Sequence, residues 1–244
     1  MKKPLILVGG GGHCKSVIDV AESASYTILG IIDKPEEIGK HVFGYEVIGT
    51  DDDMAKYADK AVFVVTVGQI KSPDLRIKLH NMLAEAKCEL ATIIASTAYV
   101  SKYATIGEGT VVMHNAFVNA GAKVGKGCII NTSAIIEHEA TVGDYCHIST
   151  GGMLNGECIV SDRCFIGSQS VIANGVTVGN NTIVGVGFVV IKDISYGCLC
   201  YGNPAKVIKE FGQDADCDGV NSVVGGVKTL YENGHNNLLH KRRA

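Results

Sequence analysis

The sequence predicts a chain of two parts, an α/β Rossmann-like domain followed by a parallel β-helix. The β-helix is indicated by a six-residue period, since every sixth position from 94 to 190 is Ile, Val or Leu, seventeen times without an insertion. This period fits neither the 3.6-residue repeat of a helix nor plain strand alternation, and it is typical of hexapeptide coils. The α/β domain is indicated by a glycine-rich turn after an apolar run near the N-terminus. The aliphatic positions are Ile94, Val100, Ile106, Val112, Val118, Val124, Ile130, Ile136, Val142, Ile148, Leu154, Val160, Ile166, Ile172, Val178, Val184 and Val190.

Residues 1–90 are predicted to form a Rossmann-like domain, since apolar runs alternate with helical stretches. The first run ends in four glycines, Gly9 to Gly12, and the second ends in Asp33. Glycines after the first strand let backbone N–H groups approach a phosphate, and an acid after the second strand can accept hydrogen bonds from sugar hydroxyls. The elements are expected as strands over 4–8, 28–32 and 62–67 and helices over about 13–23 and 73–86.

The glycine run lacks one feature of dinucleotide-binding proteins. Cys14 and Lys15 stand where the third glycine of GxGxxG would fall, which disfavours NAD as a ligand. The alternative interpretation is a degenerate domain that only decorates the β-helix.

Residues 91–195 are predicted to form the β-helix. A small side chain precedes almost every aliphatic residue by two positions, and residues two apart on a strand share a face. Each hexapeptide is therefore a short strand with two inward side chains followed by a three-residue turn, and three hexapeptides close one coil of a triangular prism. Glycine is useful at the first turn position because it has no Cβ. The glycines at that position are Gly107, Gly125, Gly143, Gly167, Gly179 and Gly185.

The residue before each inward aliphatic points outward, so the outward residues form one column on each face of the prism. The first and third columns are mainly apolar, and the second is polar. Because soluble monomers avoid long exposed apolar surfaces, we expect both apolar faces to be covered by neighbouring copies in a cyclic homotrimer. The first column is Tyr99, Phe117, Ile135, Met153, Val171 and Val189; the second is Thr105, Lys123, Thr141, Ile159 and Thr177; the third is Val111, Ile129, His147, Phe165 and Ile183.

Composition predicts a cytoplasmic protein. The formal net charge of -3 over 244 residues argues against a nucleic-acid partner, and no apolar stretch is long enough to span a membrane. The N-terminal residues run into a strand pattern rather than a signal peptide. Nine cysteines are present without a CxxC motif, and four occupy small inward positions, which favours packing thiols in a reducing compartment. These four are Cys128, Cys146, Cys158 and Cys164.

Two histidines are candidates for chemistry. His138 lies between Glu137 and Glu139 in a turn at the corner between the first and second faces, and His147 is the polar member of the third column. A neutral imidazole can accept a proton from an attacking amine or hydroxyl, and a carboxylate that orients it strengthens the base. The alternatives are a solvated turn residue for His138 and a satisfied interface histidine for His147.

Several segments carry a family resemblance over residues 3 to about 209: GGGGHCKSVIDV, IIDK, the hexapeptide run with NTSAIIEHEATVGDYCHISTGGMLNG, and GNPAKVIK. Together they resemble the sialic acid O-acetyltransferase and UDP-4-amino-sugar N-acetyltransferase family of bacterial surface-glycan synthesis. The resemblance implies a left-handed β-helix, a homotrimer, and acetyl transfer from acetyl-CoA bound between adjacent prisms. No metal is implied, because the thioester is already activated.

The resemblance also implies roles for individual residues. His138 is expected to be the general base and Glu139 the carboxylate that raises its basicity, although Glu137 is an alternative. Ser168 and Val186 depart from the residues of a relative at their positions. The acetyl-CoA cleft is expected to involve His147, Gly156, Ser168 and Val186, and the nucleotide sugar is expected to bind Gly11, Gly12, His13, Asp33, Lys34 and Gly68.

The favoured function is acetyl transfer to the amine of a nucleotide-linked amino sugar, and the alternative within the family is O-acetylation of a sialic acid or related nonulosonic acid. A zinc carbonic anhydrase needs three converging imidazoles, whereas His114, His138 and His147 are predicted at an inner corner, an outer corner and a face. A non-catalytic nucleotide-sugar-binding trimer is the third hypothesis. Residues 196–244 are expected to be a C-terminal extension that is partly mobile.

Overall fold

Six short strands and two helices make up the N-terminal part of the chain. The computed structural model describes residues 3–211, so the prediction for residues 212–244 lies outside the described residues. The strands form one sheet of order β3-β4-β2-β1-β5-β6. The elements are β1 (Leu5–Val8), α1 (Gly12–Ser23), β2 (Ile28–Ile32), β3 (His41–Val42), β4 (Tyr45–Gly49), β5 (Val62–Val65), α2 (Asp74–Glu85) and β6 (Glu89–Leu90), with 3-10 turns at Pro35–Glu37 and Asp51–Tyr57.

Strand β1 lies in the centre of the sheet and pairs in parallel with β2 and β5. Leu5 and Leu7 pack with α1 on one face, whereas Ile6 and Val8 pack with α2 on the other. This alternation follows from the two-residue period of a strand. The carboxyl ends of β1, β2 and β5 therefore meet at one edge of the sheet, which is where parallel α/β folds bind ligands. The helix and strand predictions for this region are confirmed within one or two residues, and the hairpin β3–β4 is added between β2 and β5.

The hexapeptides form three parallel sheets, and each strand pairs with the strand 18 residues later, as in Val111 with Ile129. Each strand is two residues long, which is the outward residue and the inward aliphatic of one unit. The strands are β7 (Ile93–Ile94), β8 (Tyr99–Val100), β9 (Thr105–Ile106), β10 (Val111–Val112), β11 (Phe117–Val118), β12 (Lys123–Val124), β13 (Ile129–Ile130), β14 (Ile135–Ile136), β15 (Thr141–Val142), β16 (His147–Ile148), β17 (Met153–Leu154), β18 (Ile159–Val160), β19 (Phe165–Ile166), β20 (Val171–Ile172), β21 (Thr177–Val178), β22 (Ile183–Val184) and β23 (Val189–Val190).

The interior of the prism is the predicted column of aliphatic and small side chains, packed in one cluster. Cys128, Cys146 and Cys164 are fully buried and stacked in successive coils. The Sγ atoms of Cys128 and Cys146 lie 3.0 and 2.9 Å from the carbonyl oxygens of Gly143 and Ser161. All eight cysteines among residues 3–211 are free and buried, so the packing role predicted for four of them is confirmed.

At the predicted first-position glycines the turns need a residue without a Cβ, and at the third position they take a left-handed backbone. The residue with a left-handed backbone is the third of each turn, at every turn from Gly109 to Gly187, and eight of these fourteen residues are not glycine. The first-position glycines serve close approach of the coils, because a Cβ on Gly107 would lie 2.5 Å from the backbone of Gly125.

One expectation about the faces is wrong. The third column was expected to be covered by a neighbouring copy, yet its side chains are already buried within this chain, with Val111, Ile129 and His147 exposing 1%, 2% and 7% of their surface. Val111 packs in one cluster with residues of α1 and β1, so the chain's own N-terminal domain covers the start of this face. The first face remains accessible, and Tyr99 exposes 55% of its surface.

The coil ends in a hairpin of β24 (Cys198–Gly202) and β25 (Ala205–Glu210). Strand β24 continues the third sheet by pairing with β22. None of the helices within residues 3–211 is long and apolar enough to cross a membrane.

Candidate active site

Asp33 holds the glycine turn in place. Its Oδ2 accepts a 2.8 Å hydrogen bond from the Gly10 N–H, and its Oδ1 accepts one of 2.9 Å from the Lys34 N–H. A Cβ on Gly10 would lie 2.6 Å from that Oδ2, so this position needs glycine. Gly10 was not among the predicted site residues, although its place two residues after β1 in the glycine run was a usable signal.

The remaining predicted sugar-binding residues surround the same edge of the sheet. A Cβ on Gly11 or Gly12 would meet no atom within 4 Å, so both leave open space above the start of α1. Gly68 follows β5, and a Cβ there would lie 3.6 Å from the Cβ of His13. The structure thus brings Gly11, Gly12, His13, Asp33, Lys34 and Gly68 together at the carboxyl ends of β1, β2 and β5.

His147 lies at the junction between this domain and the β-helix. Its Nδ1 is 2.6 Å from the carbonyl oxygen of Gln69, and its Nε2 is 3.1 Å from the side-chain nitrogen of Asn131. Burial lowers the pKa of His147 to about 3, with further lowering by the charge of Arg76 and by His13. His147 is therefore a neutral imidazole at neutral pH whose two ring nitrogens both have partners within this chain, rather than across an interface with a second copy.

Arg76 links the two domains from α2. Its guanidinium donates to the Oε1 of Gln69 at 2.6 Å and to the carbonyl oxygen of Gly127. Arg76 exposes only 2% of its surface, and its Nε has no hydrogen-bond partner. Burial lowers the pKa of Arg76 to about 10, which leaves it charged at neutral pH. Gln69 is thus held from both sides, by Arg76 of α2 and by His147 of the prism.

Two further histidines, His13 and His80, lie near Arg76 and have lowered pKa values. Burial, with the charge of Arg76, lowers the pKa of His13 to about 4. Burial, with the charges of Arg76 and Lys126, lowers the pKa of His80 to about 4. The Nε2 atoms of both rings are buried without a hydrogen-bond partner. At neutral pH these imidazoles are therefore uncharged, which limits repulsion with the buried guanidinium.

His138 occupies a different part of the prism. It is exposed on the turn between β14, on the first face, and β15, on the second. Gly156 is its equivalent one coil later, and a Cβ on Gly156 would lie 2.6 Å from both Cε1 and Nε2 of the His138 ring. The imidazole therefore packs directly on the Gly156 backbone, so these two predicted site residues are neighbours.

The carboxylates beside His138 have separate environments. Glu137 accepts a 2.7 Å hydrogen bond from the side chain of Asn119 and one of 3.3 Å from the His138 backbone N–H. Glu139 has a left-handed backbone with φ of 59°, and its Oε1 would lie 3.1 Å from a Cβ on Gly121. Glu137 thus stabilises the turn itself, whereas the side chain of Glu139 is exposed beside it.

Ser168 and Val186 lie in successive coils at the corner between the third and first faces. The Oγ of Ser168 is 2.9 Å from the Oγ of Ser149, and Val186 exposes 62% of its surface. Neither is near the His138 corner in this chain, because that corner joins the first and second faces.

Within the part of the chain that the structure describes, no group of three or more His, Cys, Asp or Glu side chains could hold a metal ion. His114 contacts the Oγ1 of Thr97 and the carboxylate of Asp19. His147 contacts Gln69 and Asn131, and His138 packs on Gly156, so the three histidines have none of these partners in common. This arrangement does not supply the three converging imidazoles that a zinc carbonic anhydrase needs.

The comparison with solved structures identifies the family. PerB from Caulobacter crescentus, solved with CoA and GDP-perosamine, is 32% identical, with a TM-score of 0.78 over 84% of this chain and 97% of that chain. The chain belongs to the hexapeptide-repeat family of nucleotide-amino-sugar N-acetyltransferases. A model of the PglD N-terminal domain matches residues 4–83. The left-handed β-helix implied by the resemblance is the fold of this family.

A second solved structure agrees with this membership, and two further relatives share the fold or part of the sequence. The acetyltransferase domain of PglB from Neisseria gonorrhoeae, solved with acetyl coenzyme A, is 31% identical over 85% of this chain and all of that chain, with a TM-score of 0.78. WeeI from Acinetobacter baumannii shares the fold at 24% identity and a TM-score of 0.76, over 84% of this chain and 99% of that chain. An uncharacterized protein of Acanthamoeba polyphaga mimivirus is 32% identical over 103 residues, which is 42% of this chain. The match spans about a fifth of the length of that curated relative.

Gly156 provides a test of His138 in this N-acetyltransferase that leaves the histidine itself in place. In the variant Gly156→Ala the new methyl group must displace the imidazole, since the ring is the movable partner of the 2.6 Å contact. We expect kcat to fall about 10- to 100-fold, because general-base catalysis depends on placement of the base. Steady-state kinetics measure this, and the thermal unfolding midpoint should stay within a few degrees of the parent protein. Unchanged kcat would mean that the ring position seen here is not the one used in turnover.

Proposed function

We propose that this protein transfers the acetyl group of acetyl-CoA to the amine of a nucleotide-linked amino sugar, with His138 as the general base. The proposal rests on two features found together in one chain: the predicted sugar-binding edge, where Asp33 holds the glycine turn, and the exposed imidazole of His138 packed on Gly156. This chain matches an N-acetyltransferase over 97% of that protein. PerB is solved with CoA and a nucleotide amino sugar, which supports the same two substrates here.

The chemistry needs few groups. The amine nitrogen attacks the thioester carbonyl carbon, a C–N bond forms, and the C–S bond breaks to release CoA. His138 takes the proton that the amine loses and returns a proton to the departing sulfur. A general base of this kind contributes about 10²- to 10⁴-fold to the rate, and the alignment of two bound substrates contributes the rest. We assign the orientation of the imidazole to Glu139, because Glu137 is already engaged by Asn119 and by the turn backbone.

We further propose that the active site is completed by a second copy in a homotrimer. Within one chain the sugar-binding edge lies against the third face, through Gln69 and His147, whereas His138 lies at the corner between the other two faces. The first face of the prism is accessible, as the exposure of Tyr99 shows, and it supplies an apolar surface for contact with a second copy. Ser168 and Val186 at the corner beside this face, together with Gly156, are proposed to line the acetyl-CoA cleft between copies. His147 is buried with both ring nitrogens engaged inside the chain, so we propose that it supports the sugar-binding edge through Gln69 instead. Light scattering of the purified full chain measures the assembly, and a monomeric mass would exclude it.

We also propose a cytoplasmic location. The eight cysteines among residues 3–211 are unpaired, which is typical of proteins in a reducing compartment.

The test of the activity is a panel of acceptors. The full chain is incubated with acetyl-CoA and, separately, with nucleotide-linked 4-amino sugars, free sialic acids and activated sialic acids, and released thiol is measured. We expect thiol release with at least one amino sugar and an amide in the product by mass spectrometry. An ester formed on a sialic acid would establish the O-acetyltransferase alternative, and no turnover with any acceptor would favour the non-catalytic trimer.

A further inference from the structure

A cleft of about 370 Å³ opens beside the glycine turn, on the face of the sheet that carries α2. It lies at the carboxyl ends of β1, β2, β4 and β5, between the 3-10 turn at Asp51–Tyr57 and α2. Apolar side chains form much of its lining, and the polar groups come from residues that follow β2 and β4 and from Lys78 of α2. The apolar lining residues are Val8, Ile32, Val67, Leu75, Leu79 and Met82.

Two of the carboxylates at or beside this cleft are already engaged. Both oxygens of Asp33 accept backbone N–H groups, and Asp53 accepts the Thr50 N–H and pairs with Lys56. The carboxylates of Asp51 and Asp52 accept no hydrogen bond from any residue between 3 and 211, and of these two Asp51 is partly buried whereas Asp52 is exposed. Burial raises the pKa of Asp51, and the nearby ammonium of Lys78 opposes that shift. The cleft therefore contains a partly desolvated, unpaired acceptor together with a cation.

We propose that this cleft binds the guanine base of a GDP-linked amino sugar, with Asp51 accepting from the base N1–H and N2–H and Lys78 donating to O6. The inference rests on the proposed function, because the glycine turn beside the cleft is where the phosphates of the same nucleotide would bind. A carboxylate matches two parallel N–H donors, and a lysine ammonium matches a carbonyl acceptor. The apolar lining suits the faces of a planar base.

The other bases match these groups poorly. Uracil and thymine present a single N–H between two carbonyl oxygens, so a carboxylate that accepts this proton also faces an acceptor. Adenine presents an amino group beside a ring nitrogen that is an acceptor, and it has no oxygen for Lys78. Good bidentate pairing to one base edge is worth about 1 to 3 kcal/mol of discrimination, which is about 5- to 150-fold in affinity.

The test uses nucleotide diphosphates alone, so that it does not depend on acetyl transfer. Calorimetry on the full chain compares GDP, UDP, dTDP and XDP for the parent protein and for Asp51→Asn. We expect the parent to bind GDP at least about 10-fold more tightly than UDP or dTDP. Asp51→Asn should bind GDP about 10- to 100-fold more weakly and XDP more tightly than the parent, since an amide can donate to the C2 carbonyl of xanthine. A gain for one ligand cannot come from misfolding.

Asp52→Asn is the matched control, because it makes the same charge change at the adjacent, exposed residue that also borders the cleft. We expect it to leave the GDP preference unchanged. Equal binding of GDP and UDP by the parent, or a switch to XDP in Asp52→Asn rather than Asp51→Asn, would overturn the proposal. Acetylation of a UDP-linked sugar with no effect of Asp51→Asn would overturn the base assignment and leave the proposed function standing. Asp51-dependent GDP binding without turnover on any acceptor would support the base assignment and overturn the proposed function.

Discussion

His138→Ala is expected to lower kcat for acetyl transfer at least about 100-fold, because the variant loses the imidazole that is proposed to take the proton of the attacking amine. Since His138 is exposed on a turn and its ring lies over the Gly156 backbone, the fold and assembly should persist. Initial rates of thiol release at saturating acetyl-CoA measure the effect.

The matched control is His41→Ala, which removes another exposed histidine in the N-terminal hairpin and should leave kcat unchanged. Mixing two inactive variants extends the test. A copy with His138→Ala and a copy with Asp33→Ala should together recover part of the activity after subunit exchange, if base and sugar edge meet between copies. Near-normal turnover of His138→Ala alone would remove this histidine from the mechanism.

Arg76→Met is expected to lower the free energy of unfolding by about 2 to 4 kcal/mol, because the side chain of Gln69 and the carbonyl oxygen of Gly127 lose a charged donor in a buried place. Arg76 touches neither the glycine turn nor His138 in the described contacts, so it is a positioning residue. We expect a higher KM for the nucleotide sugar with a smaller change in kcat, since Gln69 adjoins Gly68 of the sugar-binding edge.

Urea unfolding and a KM-against-kcat comparison measure the two effects. Arg76→Lys should recover part of the stability, because an ammonium can still donate to one of the two acceptors. Lys60→Met, at an exposed cation of the same domain, is the control that should change neither quantity. Unchanged or increased stability of Arg76→Met would show that the cost of burying the guanidinium offsets its hydrogen bonds.

The sequence was sufficient for the elements whose pattern is local. The hexapeptide register from Ile94 to Val190 defined every inward position, because each unit repeats the same strand and turn. The ends of β1 and β2, just before Gly9 and Asp33, could also be predicted, because apolar runs end where parallel strands reach the edge of the sheet. The role of His138 as a general base came from the family resemblance, because the repeat pattern alone also allowed a solvated turn residue at this position.

The junction between the domains could not be predicted in the same way. An outward apolar column shows that a face must be covered, but it does not say by what, so the cover of the third face by the chain's own N-terminal domain was missed. Arg76 was overlooked because arginine on an amphipathic helix is ordinarily solvated. Its spacing to Leu79, His80 and Leu83 places it on the buried stripe of α2, and that spacing was the available signal.

The unbroken 18-residue stacking has a consequence for how such a protein can diversify. Gain or loss of a single amino acid in a strand of the column would turn the aliphatic side chain of that unit towards water and break its pairing with the coils on either side, so heritable changes of length there are heavily penalised. The hairpin at 41–49 and the turn at 51–57 lie outside this constraint. Different nucleotide-linked sugars are therefore most readily accommodated by changes in the first ninety residues, while the β-helix stays the same.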